Sequence, residues 1–163
     1  MTRPKKSLGQ NFLRDEAVID RIVKALDLSD NDTVVEIGAG EGALTEKLIE
    51  TGANVVAIEI DRGLVPVLRT RFKSNENLSV FEGDVLETDF APLIGSVHSD
   101  KPKLVGNLPY YISTAILQKL ADERSSFSKI VLMLQREVVE RITAKPGNSE
   151  RGFLTVITEA AFS

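Results

Sequence analysis

The sequence predicts an α/β fold, a central and mainly parallel sheet with helices on both faces, and three observations carry that expectation. Short β-branched runs alternate with helical patterns along the chain, as βαβ units require. At 163 residues and 42% hydrophobic content, the chain is long enough for one domain with its own core. No repeat or low-complexity tract interrupts the alternation.

The elements follow in order. DEAVIDRIVKALDL (Asp15–Leu28) puts Val18, Ile22, Val23 and Leu26 on one helical face, with Asp15 available as N-cap. TVVEI (Thr33–Ile37) is short and β-branched, a buried strand. A Gly-rich turn leads into ALTEKLIETG, a helix closed by Gly52. NVVAIEI (Asn54–Ile60) is the second strand, and LVPVLRTRF (Leu64–Phe72) a helix with Pro66 in its first turn. LSVFEG (Leu78–Gly83), KLVGN (Lys103–Asn107) and KIVLMLQ (Lys129–Gln135) are strands three to five. Helical patterns at Thr114–Glu123 and Arg136–Thr143 follow the last two. FLTVITEAAF (Phe153–Phe162) is read as helix or strand, because β-branched residues pull against Ala and Glu. GSVHSDKPK (Gly95–Lys103) is a surface connection.

Composition removes several chemistries. With no cysteine, disulfides, thiol catalysis and thiolate metal sites are excluded. The lone histidine, His98, sits in the polar connection and reads as a solvated bystander, so no metal is expected. No apolar run approaches the roughly 18 residues of a membrane span. MTRPKKSLGQNFL has no apolar core of a secretory signal, and a cytoplasmic protein is expected. The net charge of −4 does not advertise a nucleic-acid partner. Arg3, Lys5, Lys6 and Arg14 nonetheless make residues 1–14 a basic segment, and Arg62, Arg69, Arg71 and Lys73 group around one helix. Either group suits phosphates, and equally a frayed terminus and a solvated face.

In such sheets ligands bind beyond the carboxyl ends of the strands, so the strand tips are the place to look. The first ends in EIGAGEG, where Gly38, Gly40 and Gly42 stand one residue short of the G-x-G-x-x-G dinucleotide spacing. Glu36 just before them would repel a pyrophosphate and suits a cationic ligand; burial would oblige it to find a hydrogen-bond partner. Alone, the glycines are a weak signal that a plain tight turn would also produce. The second strand ends in IEID; Glu59, 21 residues past Gly38, can accept from ribose hydroxyls, while Asp61 reads as a surface carboxylate capping the next helix. The third ends in EGDVLETDF, where Asp84 could accept from an adenine amino group and the Val85 amide could donate to the ring, or Asp84 could simply close an Asx turn. Together these tips describe an adenosyl compound with a cationic end, S-adenosyl-L-methionine. The fourth tip then makes sense. Methylating an adenine amino nitrogen needs acceptors on its N–H bonds, and the Asn107 side-chain oxygen and Leu108 carbonyl can supply them. Pro109 holds Leu108 extended, and Tyr110 offers a ring for the base to stack on.

With those residues assembled, the chain resembles the ribosomal RNA adenine N6,N6-dimethyltransferase family. KKSLGQNFL, VVEIGAGEGALT, AIEID, EGDVLETDF, NLPYYIS and LMLQREVVERI occur in that family's order and spacing across all 163 residues. The resemblance implies a Rossmann-like methyltransferase fold, with Gly38, Glu59, Asp84 and Asn107 as donor contacts and Asn11 and Leu13 helping residues 1–14 close over the donor; Gly40 of the turn and the Val85 amide complete the expected donor site. It also implies Asn107, Leu108, Pro109 and Tyr110 as the target-adenine motif. The implied substrate is two adjacent adenosines near the 3′ end of small-subunit rRNA, on the immature small ribosomal subunit, with the enzyme a monomer. The family's chain continues through a final β-hairpin, carrying a second aromatic residue for the base, and a C-terminal helical domain. This sequence stops at Ser163, so it reads as the N-terminal part of a longer protein, with little or no activity of its own and its fifth strand a sheet edge.

Four rivals are weighed against this. An NAD-type oxidoreductase conflicts with the glycine spacing, Glu36 and NLPYY, and a DNA adenine methylase would carry an acidic residue where Asn107 stands. A macrolide-resistance-type large-subunit rRNA methylase is disfavoured by KSLGQNFL with LPYYIS. A non-catalytic ribosome-assembly factor on the same fold is disfavoured by the intact Asn107–Tyr110 motif.

Overall fold

The computed structural model describes residues 12–94 and 101–162. Asn11 and His98, and with them Arg3, Lys5 and Lys6, lie outside the described residues. Strands β1 (Thr33–Ile37), β2 (Asn54–Glu59), β3 (Leu78–Glu82), β4 (Lys103–Asn107) and β5 (Lys129–Met133) form one sheet in the order β3-β2-β1-β4-β5. Every pairing is parallel. The helices are α1 (Glu16–Leu26), α2 (Ala43–Glu50), α3 (Val65–Arg71), α4 (Phe90–Ile94), α5 (Tyr110–Asp122), α6 (Arg136–Ile142) and α7 (Phe153–Phe162). The fold is the α/β, Rossmann-like one expected.

Strand alternation divides the core in two. Val34, Val55 and Val105 point to one face, where Ile19 and Leu26 of α1 and Leu44 and Leu48 of α2 cover them. Val35, Ile37, Val56, Ile58 and Leu104 point to the other, against Phe90, Ile116, Leu120 and Phe127. Both faces are therefore buried, which is why the central strands read as continuous apolar runs. β5 stands at one edge, as expected, and β3 at the other.

Boundaries moved where capping chemistry decided them. Asp15 caps α1 as read, its Oδ1 accepting from Val18 N–H at 3.2 Å. The helix stops at Leu26 rather than Leu28 because Asp27 turns left-handed at φ 53°. β2 ends at Glu59, and Ile60 is exposed. α5 starts at Tyr110, four residues before Thr114, because Pro109 is its N-cap with φ −68° and ψ 147°. Phe153–Phe162 resolves as helix. Its threonines are satisfied there: Thr155 Oγ1 donates to Arg141 O at 2.7 Å and Thr158 Oγ1 to Leu154 O at 2.6 Å. The short α4 in DFAPLI had drawn no expectation.

Candidate functional site

The chain runs outward from β1 through β2 to β3, then returns to lay β4 against β1's other side. That reversal opens a crevice at the carboxyl ends of β1 and β4. A cavity of about 1020 Å³ lies there. It is walled by the strand tips Glu36–Gly40, Ile58–Ile60, Gly83–Val85, Asn107–Pro109 and Met133–Gln135, and by Phe12–Glu16.

Two-residue alternation carries Glu36, Glu59 and Asn107 onto one face of the sheet, following Val34, Val55 and Val105. Glu36 is 2% exposed and its Oε2 accepts from Thr45 Oγ1 at 2.6 Å, the partner its burial demanded. Desolvation, with the neighbouring Glu59 carboxylate adding to it and the Thr45 bond opposing it, leaves its carboxyl pushed up to about 7. Glu59 is also buried, and holds backbone on both sides. Its Oε2 accepts from Gly40 N–H and its Oε1 from Asp61 N–H, each at 2.8 Å. Each oxygen keeps a lone pair for a further donor.

The glycine turn is built by three left-handed residues, Gly38 (φ 74°), Gly40 (φ 60°) and Gly42 (φ 86°). A Cβ on Gly38 would meet nothing within 4 Å, because that position faces cavity space. A Cβ on Gly40 would sit 3.2 Å from the Phe12 ring, so the segment before α1 lies directly on the turn.

Asp84 does close an Asx turn, its Oδ1 accepting from Leu86 N–H at 2.9 Å, and it lines the cavity all the same. Val85 is buried in the same wall. Leu108 is anchored from both directions: its N–H donates to Met133 O at 3.0 Å, and Pro109 follows it in extended conformation. Leu13 lines the cavity and packs on the α1–α2 core.

Tyr110 is half exposed and stands outside the cavity wall, whereas Tyr111 lines it. Both rings are about half exposed, and as successive residues on a helix they point about 100° apart. Gln135, Tyr111, Phe12 and Arg71 are wall residues that motif reading passed over. Gln135 stands at the end of the fifth strand, as Asn107 does at the end of the fourth, and that position is its signal in the sequence.

One expectation is corrected. Asp61 is 3% exposed, not a surface carboxylate. Its Oδ1 accepts from Gly63 N–H at 2.9 Å and its backbone oxygen from Leu64 N–H at 2.8 Å, so it shapes the turn into α3 from within. Three of the four cations around α3 have partners within the fold. Arg71 donates to Glu41 O at 2.7 Å and Glu46 Oε2 at 2.6 Å, Arg69 to Val80 O at 3.0 Å, and Arg62 pairs with Glu82 at 3.3 Å. They fasten α3 to the glycine turn and to β3. Among the described residues no acidic, His or Cys group could hold a metal, and no helix is long and apolar enough to cross a membrane.

The cavity thus offers carboxylates along one side, a glycine turn at one end and an amide with a fixed carbonyl at another. That set accepts hydrogen bonds from hydroxyl and amino groups and tolerates positive charge. A family model described as ribosomal RNA adenine dimethylase matches residues 1–163. The chain is 44% identical over 160 residues to the ribosomal RNA small subunit methyltransferase A of Geobacter metallireducens, covering 98% of this chain and 58% of that one. It therefore spans a little over half the length of that relative. The solved structure of a dimethyladenosine transferase from Plasmodium falciparum superposes with a TM-score of 0.78 at 33% identity, over 91% of this chain and 52% of that one. For the 23S rRNA methyltransferase ErmE the values are 0.72 and 29%, over 91% and 57%.

Proposed function

The chain belongs to the ribosomal RNA adenine dimethylase family, and from that premise we propose that it transfers methyl groups from S-adenosyl-L-methionine to N6 of two adjacent adenosines near the 3′ end of small-subunit rRNA. The observation that carries this reading is that Asn107 shares one cavity, and one sheet face, with Glu36 and Glu59.

The residues present fit an adenosyl donor. Glu59 has lone pairs left for ribose hydroxyls, Asp84 and Val85 flank the place of an adenine edge, and Gly38 leaves room where any side chain would intrude. Glu36 beside the glycine turn suits a positively charged end, and Phe12 and Leu13 line the same cavity. When bound, S-adenosyl-L-methionine supplies an electrophilic methyl group.

The protein's own task is to prepare the acceptor. An adenine amino nitrogen is a poor nucleophile because its lone pair is delocalised into the ring. In the first transfer Asn107 accepts one N–H bond through its side-chain oxygen and Leu108 the other through its carbonyl, and in the second the one remaining N–H is held by one of them. Positive charge forming on nitrogen is thereby stabilised as the methyl passes from the donor sulfur to nitrogen. Pro109 and the Leu108–Met133 hydrogen bond keep that carbonyl in place beforehand. The proton leaves to water once the nitrogen is cationic, so no strong base is required. Tyr110, exposed beside the wall residues Pro109 and Tyr111, offers the base a stacking face outside the cavity. The enzyme works as a cytoplasmic monomer on the immature small subunit, and without a metal.

The test is transfer of labelled methyl groups by the full-length protein to immature small subunits, with large-subunit RNA as the competing substrate. Label is expected in small-subunit adenosines as dimethyladenosine, and Asn107→Ala is expected to lower kcat by about a hundredfold or more. Transfer to large-subunit RNA alone would favour the second reading that the likeness to ErmE permits. Undiminished turnover by the variant would remove Asn107 from the chemistry.

A further inference from the structure

We propose that Gln135 reads a ring nitrogen of the acceptor base and so helps select adenine. This rests on the reading above but concerns a residue that reading does not use. β4 and β5 pair in parallel with Asn107 opposite Met133. Val131 packs in the same core cluster as Val34 and Val105, so Val131 and Met133 share Asn107's face. Gln135 lies two residues beyond Met133, with extended backbone at φ −65° and ψ 148°, and the alternation carries it onto that face too. It borders the cavity together with Asn107, Leu108 and Pro109.

Two observations mark the side chain as available to a ligand. Gln135 occupies the N-cap position of α6 yet makes no side-chain capping hydrogen bond. The charged residues after it are tied along the helix instead, Arg136 to Glu140 at 2.7 Å and Arg141 to Glu137 at 2.8 Å. The polar group that the β5 tip turns to the cavity is therefore a neutral carboxamide with two N–H donors.

Adenine presents a donor, its amino group, directly beside ring-nitrogen acceptors. With both amino hydrogens taken by Asn107 and Leu108, the complementary group still missing is a donor aimed at N1 or N7. Gln135 supplies it. Guanine carries an acceptor oxygen in place of the amino group, which Asn107 rejects, and an N–H at N1, which Gln135 rejects if N1 is the nitrogen it reads; at N7 the two purines are alike, and selection there falls to Asn107 alone.

The experiment uses full-length protein and hairpin RNAs carrying adenosine, 1-deazaadenosine or 7-deazaadenosine at the target position. Methyl-transfer kcat/KM is read with donor present, and RNA affinity with donor absent. Wild type is expected to lose about three- to tenfold on one of the two analogues, as for a single hydrogen bond. Gln135→Ala and Gln135→Leu are expected to lose a similar factor on adenosine and nothing further on that analogue. Because Gln135 is exposed, both variants keep the wild-type Tm. If the variants keep wild-type kcat/KM on adenosine, or retain the wild-type's sensitivity to both analogues, Gln135 does not touch the base. Absence of methyl transfer by wild type to any adenosine would instead sink the functional reading. The donor-free affinities would then decide on Gln135 alone, through whether the variants abolish the analogue effect.

Discussion

Glu36 and Glu59 are both buried on the same sheet face, yet they are handled differently by the fold. Glu59 accepts two backbone N–H groups, whereas Glu36 has a single neutral hydroxyl partner and is pushed up to about 7. The folded protein therefore holds a proton on Glu36 that the unfolded chain, with an ordinary value of 4.5, releases. Stability from this group is full below pH 4.5 and is lost as pH rises through 7, to the extent of about 3 kcal/mol. Glu36→Gln, which still accepts from Thr45, is expected to remove that slope. Urea midpoints for the two proteins at pH 5 and pH 8 check it, and parallel pH profiles would mean that Glu36 titrates normally. Only part of this was legible in the sequence. A carboxylate ending a buried strand announces its need for a partner, but Glu59's amide partners are set by backbone angles at Gly40 and beyond Ile60, which residue types alone do not encode. The two tyrosines make the same point: NLPYY places both rings near the site, and only the helix starting at Tyr110 sets them about 100° apart, with Tyr111 on the cavity wall. The chain has two tyrosines and no tryptophan, so single-tyrosine variants report on each ring separately. S-adenosylhomocysteine is expected to change the fluorescence of Tyr110→Phe, which keeps Tyr111, and to leave that of Tyr111→Phe nearly unaltered. The reverse pattern would turn Tyr110 inward.

At the scale of elements, the glycine turn separates packing from binding. Gly42 sits where a Cβ would meet Phe72 Cε2 at 2.6 Å and Leu68 Cδ2 at 2.9 Å, so its role is to let α3 approach the start of α2. Gly42→Ala combines left-handed strain with overpacking and is expected to cost about 2–5 kcal/mol. Gly38→Ala adds only backbone strain, about 1–2 kcal/mol, but places its methyl in the cavity. Its donor affinity is expected to fall tenfold or more. Denaturation midpoints with donor titrations test the ordering; equal stability losses at the two positions would contradict the packing role of Gly42. The elements themselves were readable wherever one periodicity dominated, and all five strands fell where β-branched runs placed them. What escaped was settled by capping and tertiary contacts. Pro109 starts α5 a turn early, α4 is a five-residue helix too short for a period to show, and α7 is a helix in which the threonines bond to backbone oxygens.

For the whole molecule, the question is whether the cavity is a local feature or a property of the fold. Its walls come from the tips of all five strands and from the segment leading into α1, and Glu59 ties two of those tips together through Gly40 and Asp61. The residues just behind the tips, Val35, Ile37, Ile58 and Leu104, belong to the central core. The strand tips thus cannot spread widely without disturbing that core, and a ligand seated among them is bound by the folded state as a unit. Linkage then sets the size of the response. Donor at a hundred times its Kd adds about 2.7 kcal/mol, because the unfolded chain has no such site. For a domain of this size that corresponds to a rise in Tm of roughly 5–10 °C. Scanning calorimetry over a series of S-adenosyl-L-methionine concentrations should show one transition moving upward logarithmically with ligand. Binding measured independently without such a shift, or a second transition that ignores the donor, would show that the cavity walls melt apart from the rest of the sheet.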